Sequence, residues 1–232
     1  MAEELSRHIV SSYDAELQRL DALLAEMGGR CEEQLRNAVT ALKERNPALA
    51  TQTVGGDIVI DALEREVEGL ILRLLALRQP VAIDLRHTLA ALKAAAAMER
   101  AGDHAKNVAK SVVALNSGPP LPKALAPVTR LAQLAGELLH ASVDSLIRRD
   151  QVMAAEVWRR DREVDDAYAA ALDEIYAGLA SDPASGPACL QLQTVAKNLE
   201  RIGDLATNIA EMVQFEVTGR RIEEERPRGE AR

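Results

Sequence analysis

The segment Met98–Ala109, MERAGDHAKNVA, returns 101 residues later as Leu199–Ala210, LERIGDLATNIA. Seven of the twelve positions are identical, and three more exchange one apolar residue for another. Agreement over this length indicates an internal duplication, and apolar residues three and four apart within each segment are typical of a helix with one buried face.

A weaker match extends the repeat towards the amino terminus at an offset of 104 residues. Its members are Val39, Leu42, Arg45, Asp57 and Asp61, paired with Val143, Leu146, Arg149, Asp161 and Asp165. The change in offset is absorbed near Pro80 and Pro183, where we expect turns. The duplication therefore includes the second and third helices of each unit.

Composition favours an all-α fold. Aromatic residues make up only 2% of the chain although hydrophobic residues make up 47%, which argues against a β-sandwich or barrel. The apolar pattern predicts six helices, and four of the five breaks between them contain proline. Their predicted ranges are 4–45, 48–78, 84–115, 124–149, 152–179 and 188–217. Long helices joined by short turns indicate antiparallel bundles.

We therefore predict two tandem three-helix repeats. The first covers residues 1–116 and the second 124–217. They are joined by a Pro-rich linker, 117–123, and followed by a charged, disordered tail, 218–232.

Charge and hydropathy restrict the functional classes. A net charge of −8 argues against nucleic-acid binding, which needs a basic surface. The chain has no apolar run long enough for a transmembrane helix, and MAEELSRHIV does not resemble a signal peptide. Cys31 and Cys189 are isolated, which fits a reducing cytoplasm and implies neither a zinc site nor a disulfide framework. We expect a cytoplasmic protein.

Each repeat carries two acidic pairs with a spacing of four residues, which places each pair on one helix face. The first cluster is Asp57, Asp61, Glu99 and Asp103, and the second cluster is Asp161, Asp165, Glu200 and Asp204. In an antiparallel helix hairpin, residues equidistant from the turn lie at the same height. We therefore expect the two acidic pairs of each cluster at the same height, about 30 Å from the turn.

Level carboxylates on neighbouring helices repel one another, by roughly 3 kcal/mol for two charges about 6 Å apart at an effective dielectric near 20. Splaying, protonation or a bound cation relieves the repulsion. Oxygen-only clusters suit Mg²⁺, Mn²⁺, Ca²⁺ or iron, with Zn²⁺ left open. Asn107 and Asn208 extend the same faces and are candidate accessory ligands. The alternative is a solvated acidic surface, although duplication favours a metal site.

Gly102 and Gly203 recur inside the repeated motif, where a mid-helix glycine costs about 1 kcal/mol relative to alanine. Two explanations remain open: close helix packing, or room for a ligand.

The segments Glu99–Asn107 and Glu200–Glu211 resemble the signature of the PhoU family of phosphate-signalling proteins. The segment Arg78–Arg86, RQPVAIDLR, resembles the family between the second and third helices. The resemblance extends from about Tyr13 to Val217. It implies two three-helix bundles related by pseudo-twofold symmetry, with one multinuclear metal cluster in each repeat.

The resemblance also implies a function without catalysis. The protein would couple the ATPase subunit of a phosphate ABC transporter to a sensor histidine kinase and repress the phosphate regulon when phosphate is ample. Dimerisation and contact with the membrane only through partners are further expectations. Leu205 replaces His104 in the second motif, which would leave the second repeat without a nearby imidazole and make the clusters unequal.

Two alternatives concern function. One is an accessory protein of a low-affinity phosphate permease. The other is a carboxylate-bridged di-metal enzyme of the four-helix type, which needs two Glu-x-x-His motifs. Only Glu137–His140 fits that pattern, and we expect His140 to lie at the rim or in the core. A purely structural helical adaptor with acidic faces for basic partners also remains open.

Overall fold

The computed structural model describes residues 2–115, 123–220 and 222, with side chains from residue 12 onwards. Over this part of the chain it contains six α-helices, one short 3-10 helix (Pro183–Ser185) and no strand. The α-helices are α1 (Ala2–Glu44), α2 (Pro47–Arg78), α3 (Ala82–Leu115), α4 (Leu125–Arg148), α5 (Gln151–Ser181) and α6 (Gly186–Thr218). The all-α class and the six helices are confirmed, and each helix end lies within two residues of its predicted position.

The turn between the first and second helices is built alike in the two repeats. Asn46 Oδ1 accepts a hydrogen bond from Leu49 N at 3.0 Å, and Asp150 Oδ1 accepts from Val152 N at 2.9 Å. A side-chain acceptor at this position satisfies an amide that has no partner inside the helix. The residues before the caps, Arg45 (φ 51°) and Arg149 (φ 52°), both adopt the left-handed conformation.

These two arginines also reach the end of the third helix of their own repeat. Arg45 Nη2 donates to the Leu115 carbonyl at 3.1 Å, and Arg149 Nε donates to Glu216 Oε1 at 2.8 Å. Leu115 and Glu216 are related by the 101-residue offset, whereas the arginines are related by the 104-residue offset. The duplication found in the sequence is therefore a duplication of contacts as well.

The two three-helix bundles are related by pseudo-twofold symmetry, and their third helices pack against each other. His87 on α3 contacts Glu216 on α6, whereas His104 contacts Asn198, so α3 and α6 run antiparallel. Small buried residues on α3 let the helices approach closely. They include Ala94, Ala97, Ala101 and Ala105. At the flank of this contact α1 packs on α4, where the side chain of Val143 fills the space beside Gly28.

Most of the predicted linker and tail lie outside the described residues, since the structure describes only Lys123 of 117–123 and residues 218–220 and 222 of 218–232. Cys31 and Cys189 are buried and free. Among the helices described, none is both long enough and apolar enough to cross a bilayer.

Candidate functional site

The carboxylates of the two clusters occupy matched positions with different exposure. Asp57 and Asp161 are buried, with 4% and 3% of their surface exposed. The other six members are half-buried, as is Asn107, whereas Asn208 is exposed. Each cluster therefore has one carboxylate in the helix interface and the others along its rim.

In the first cluster, nitrogen donors hold both oxygens of Asp57. Gln34 Nε2 donates to Asp57 Oδ1 at 2.9 Å, and Lys106 Nζ donates to Asp57 Oδ2. Lys106 Nζ also donates to Asp103 Oδ1 at 2.5 Å, and Gln34 Nε2 to the Gly102 carbonyl at 3.1 Å. Helices α1, α2 and α3 thus meet at Asp57, and α2 and α3 meet at the predicted height.

The charge of Lys106 is stabilised in this position. Partial burial acts to lower the pKa of its ammonium group, but the hydrogen bonds with Asp103 and Asp57 outweigh that effect and raise the pKa. Lys106 is therefore a fixed positive charge between the buried carboxylate of α2 and the rim carboxylate of α3.

The outer part of the first cluster keeps an excess of negative charge. Burial raises the pKa of Glu99, and the nearby carboxylates of Asp103, Glu64 and Asp61 raise it further. The pKa of Glu64 is raised in the same way, by burial and then by its acidic neighbours. These two groups bind protons more readily than an isolated glutamate does.

The second cluster has a neutral donor where the first has a lysine. Thr207 Oγ1 donates its one proton to Asp161 Oδ1 at 2.9 Å and lies 3.2 Å from the Gly203 carbonyl oxygen. Lys197 and Arg201 form ion pairs along α6 itself: Lys197 with Glu200 at 2.8 Å, and Arg201 with Asp204 at 3.3 Å and with Glu200 at 3.8 Å. These pairs join residues of one helix, whereas Lys106 also pairs with Asp57 of the neighbouring helix α2.

The second cluster lines an open cleft of about 670 Å³. All four of its carboxylates reach this cleft, together with residues of both repeats. The other lining residues are Arg100, His104, Arg201, Leu205 and Asn208.

The position of His104 corrects the expectation that the second repeat has no nearby imidazole. Its Nδ1 atom lies 2.8 Å from Asn198 Oδ1 on α6, and the side chain lines the cleft of the second cluster. The physical reason is the antiparallel contact between α3 and α6, which turns a side chain of the first repeat towards the second. His104 is therefore absent from the second motif but present at the second cluster.

The two motif glycines are explained by helix packing. A Cβ on Gly102 would lie 2.9 Å from Ile60 Cδ1, and one on Gly203 would lie 2.8 Å from Val164 Cγ1. Ile60 and Val164 are themselves related by the 104-residue offset. Of the two explanations that the sequence left open, the contacts favour the close approach of the third helix to the second.

The fit of a metal ion differs between the clusters. Nowhere in the part of the chain that the structure describes do three His, Cys, Asp or Glu side chains converge in an arrangement that holds a metal ion. The second cluster is the better match for a hard cation, because its four carboxylates share one open cleft, which Arg100 and Arg201 also line. The first cluster fits poorly, since Lys106 already pairs with Asp57 and Asp103. Metal binding stays a prediction.

The Glu137–His140 motif lies on the surface, at the rim as expected. Arg160 pairs with Glu137 at 3.0 Å, and His140 Nδ1 lies 3.0 Å from Glu32 Oε2 with 62% of its side chain exposed. A di-metal site of the four-helix type places such motifs inside the bundle. This geometry gives the enzyme alternative no support.

Sequence reasoning missed three residues of these sites: Gln34, Lys106 and Thr207. The Lys106/Thr207 difference was visible as one of two non-conservative exchanges in the repeated motif. Gln34 had no such signal, because the residue 104 positions later is Leu138 and the contact depends on how α1 packs.

The class of protein follows from comparison with known protein families. The family model described as the PhoU domain matches twice, over residues 24–112 and 128–213. The chain belongs to the PhoU family.

Relatives match over nearly the full length. A protein of Caulobacter vibrioides, "Phosphate-specific transport system accessory protein PhoU homolog", is 42% identical over 97% of either chain. A Xylella fastidiosa protein with the same description is 41% identical over 94% of this chain and 90% of its own length.

Solved structures have the same fold. PhoU from Pseudomonas aeruginosa superposes with a TM-score of 0.87 at 34% identity, covering 90% of this chain and all of that chain. The phosphate transport system regulatory protein PhoU from Streptococcus pneumoniae gives 0.83 at 26% identity, covering 91% and 99%.

Proposed function

We propose that this chain is a non-catalytic accessory protein of phosphate transport that negatively regulates the phosphate regulon. The observation that carries the proposal is the doubled PhoU domain match, together with relatives that align end to end and are named as transport accessory proteins. A shared fold alone would not assign a function, but the 42% identity extends over 97% of the chain, a range that spans the positions of both acidic motifs.

The proposed action is to link two partners in the cytoplasm. One partner is the ATPase subunit of the phosphate ABC transporter, and the other is a sensor histidine kinase. The protein would reach the membrane only through them, as a homodimer. Long rigid helices with little aromatic surface suit a docking surface better than a pocket for an organic substrate.

A bound cation is the second part of the proposal. Divalent or iron-type ions (Mg, Mn, Fe or Zn) would bind at the acidic clusters, and the open cleft of the second cluster is the stronger candidate. An ion there would offset the repulsion among Asp161, Asp165, Glu200 and Asp204 and hold α5 against α6.

Deletion of the gene tests the regulatory role. We expect a phosphate-regulon reporter to become active in phosphate-rich medium, and the intact gene to restore repression. Pull-down with the tagged protein should recover the transporter ATPase and the kinase. Normal repression in the deletion strain would contradict the proposal, and recovery of a low-affinity permease instead would favour the alternative accessory role.

The cation sites are tested separately. Asp103→Ala combined with Asp204→Ala should lower metal content and derepress phosphate uptake genes. Asp173→Ala with Glu174→Ala is the matched control, because it removes two exposed charges of α5 outside the clusters. Normal repression by the first double variant with its metal lost would mean that the clusters are dispensable for signalling.

A further inference from the structure

We propose that Lys106 is a tethered cation that takes the place of a metal ion between Asp57 and Asp103, so that a diffusible cation binds only at the second cluster. The inference rests on the cation binding proposed above. It assigns the bound ion to the second repeat and none to the first.

The contacts of Lys106 are those expected of a bridging cation. Its ammonium group pairs with a buried carboxylate of α2 and with a rim carboxylate of α3, and only 22% of its own side chain is exposed. A metal ion held by the same two carboxylates would join the same two helices. Because the lysine is covalently part of α3, it supplies this charge at every cation concentration.

Both carboxylate oxygens of Asp57 already accept a hydrogen bond in this arrangement. Its Oδ1 atom accepts from the amide of Gln34 and its Oδ2 atom from Lys106. The Lys106 ammonium group has no lone pair with which to coordinate a cation, and an ion would have to displace it from both carboxylates.

The matched position in the second repeat lacks this charge. Thr207 is fully buried and donates one neutral hydrogen bond to Asp161. Lys197 and Arg201 pair with this cluster from α6, with 43% and 52% of their side chains exposed, and Arg100 of α3 lines the same cleft. One exchange in the repeated motif therefore replaces a partly buried counter-ion by a hydroxyl group.

The test compares Mn²⁺ binding by the full chain, measured by calorimetry and by metal analysis after dialysis. Glu99→Gln reports on the first cluster and Glu200→Gln on the second. Lys106→Thr introduces the residue of the second repeat, and Lys106→Gln is a second neutral variant. The control is Lys110→Thr, which removes an exposed lysine of the same helix.

With Mn²⁺ bound by the wild type, we expect Glu200→Gln to abolish uptake and Glu99→Gln to leave it unchanged. Lys106→Thr should gain about one further equivalent per chain, which Glu99→Gln then removes. If Glu99→Gln abolishes the Mn²⁺ uptake measured for the wild type, the inference is overturned. A folded Lys106→Thr protein, judged by circular dichroism, whose stoichiometry is that of the wild type would also overturn it.

A wild type and a Lys106→Thr variant that both bind no Mn²⁺ would contradict the proposed cation binding instead. The role of the lysine is then decided by thermal unfolding in EDTA. Midpoints of both Lys106 variants roughly 5 °C or more below that of Lys110→Thr would support the tethered cation. Midpoints equal to the control would overturn it.

Discussion

His87 Nδ1 on α3 lies 2.9 Å from Glu216 Oε1 on α6, and both side chains are buried. The other ring nitrogen, Nε2, lies 3.2 Å from Asp21 Oδ1 on α1. The Arg149 guanidinium group completes the cluster with bonds to both carboxylates. One imidazole therefore joins the two repeats at the end of the α3–α6 contact.

This cluster predicts a pH-dependent stability. Burial acts to lower the pKa of His87, but hydrogen bonds to Asp21 and Glu216 outweigh it and raise the pKa to about 9. The pKa rises on folding, so the stabilisation is complete below the unfolded value near 6.5 and disappears as pH rises through about 9. We expect the free energy of unfolding to fall by up to about 3 kcal/mol across this window.

Urea unfolding at a series of pH values checks this prediction. His87→Gln should flatten the dependence, because glutamine does not titrate. His140→Gln is the control, since His140 is exposed. An unchanged slope in His87→Gln would show that other groups cause the pH dependence.

The two motif glycines should respond differently to alanine. At Gly203 the new Cβ would meet Val164 Cγ1 on the β-branch itself, whereas at Gly102 it would meet the terminal methyl Cδ1 of Ile60, which can also turn about χ2. Overpacking costs about 1–3 kcal/mol, and alanine regains about 1 kcal/mol of helix propensity. In denaturant unfolding, we expect Gly203→Ala to lower the free energy of unfolding by about 1–2 kcal/mol. The change caused by Gly102→Ala should be close to zero. Equal effects would argue against this packing difference.

Gln34→Leu tests the donor that sequence reasoning missed. Leucine occupies the matching position of the second repeat, Leu138, so its shape is tolerated by the fold. The variant leaves the Gly102 carbonyl and Asp57 with one donor fewer, which should cost about 1–3 kcal/mol in urea unfolding. Gln133→Leu, which loses only an exposed bond to Glu137, should change stability by less than about 0.5 kcal/mol.

Mn²⁺ should stabilise the fold through the second cluster. An ion at 100 times its Kd adds about 2.7 kcal/mol to the free energy of unfolding. Asp165→Asn should remove most of this thermal shift, whereas Asp166→Asn, an exposed neighbour paired with Arg162, should keep it. Absence of any shift in the wild type would count against cation binding.

The fold was predictable because its determinants are local or periodic. The apolar pattern, the prolines and the duplicated motif located all six helices. The structure adds that Asn46 and Asp150 cap the starts of α2 and α5. The clusters were predictable in part, because antiparallel geometry sets height. The rotation of each helix about its axis was not predictable from the sequence. This rotation buries Asp57 and Asp161 and leaves the other carboxylates of each cluster at the rim.

By itself the sequence determined a duplicated all-α chain with two matched sets of carboxylates and membership of a family. Its spacing fixes which residues share a face, since 3.6 residues make one turn. Only the tertiary structure decided what those carboxylates touch. Lys106 of α3 and Gln34 of α1 both donate to Asp57 of α2, and His104 of α3 lines the cleft of the second cluster. These contacts join residues far apart in the chain, and packing between helices, not any local pattern, selects them.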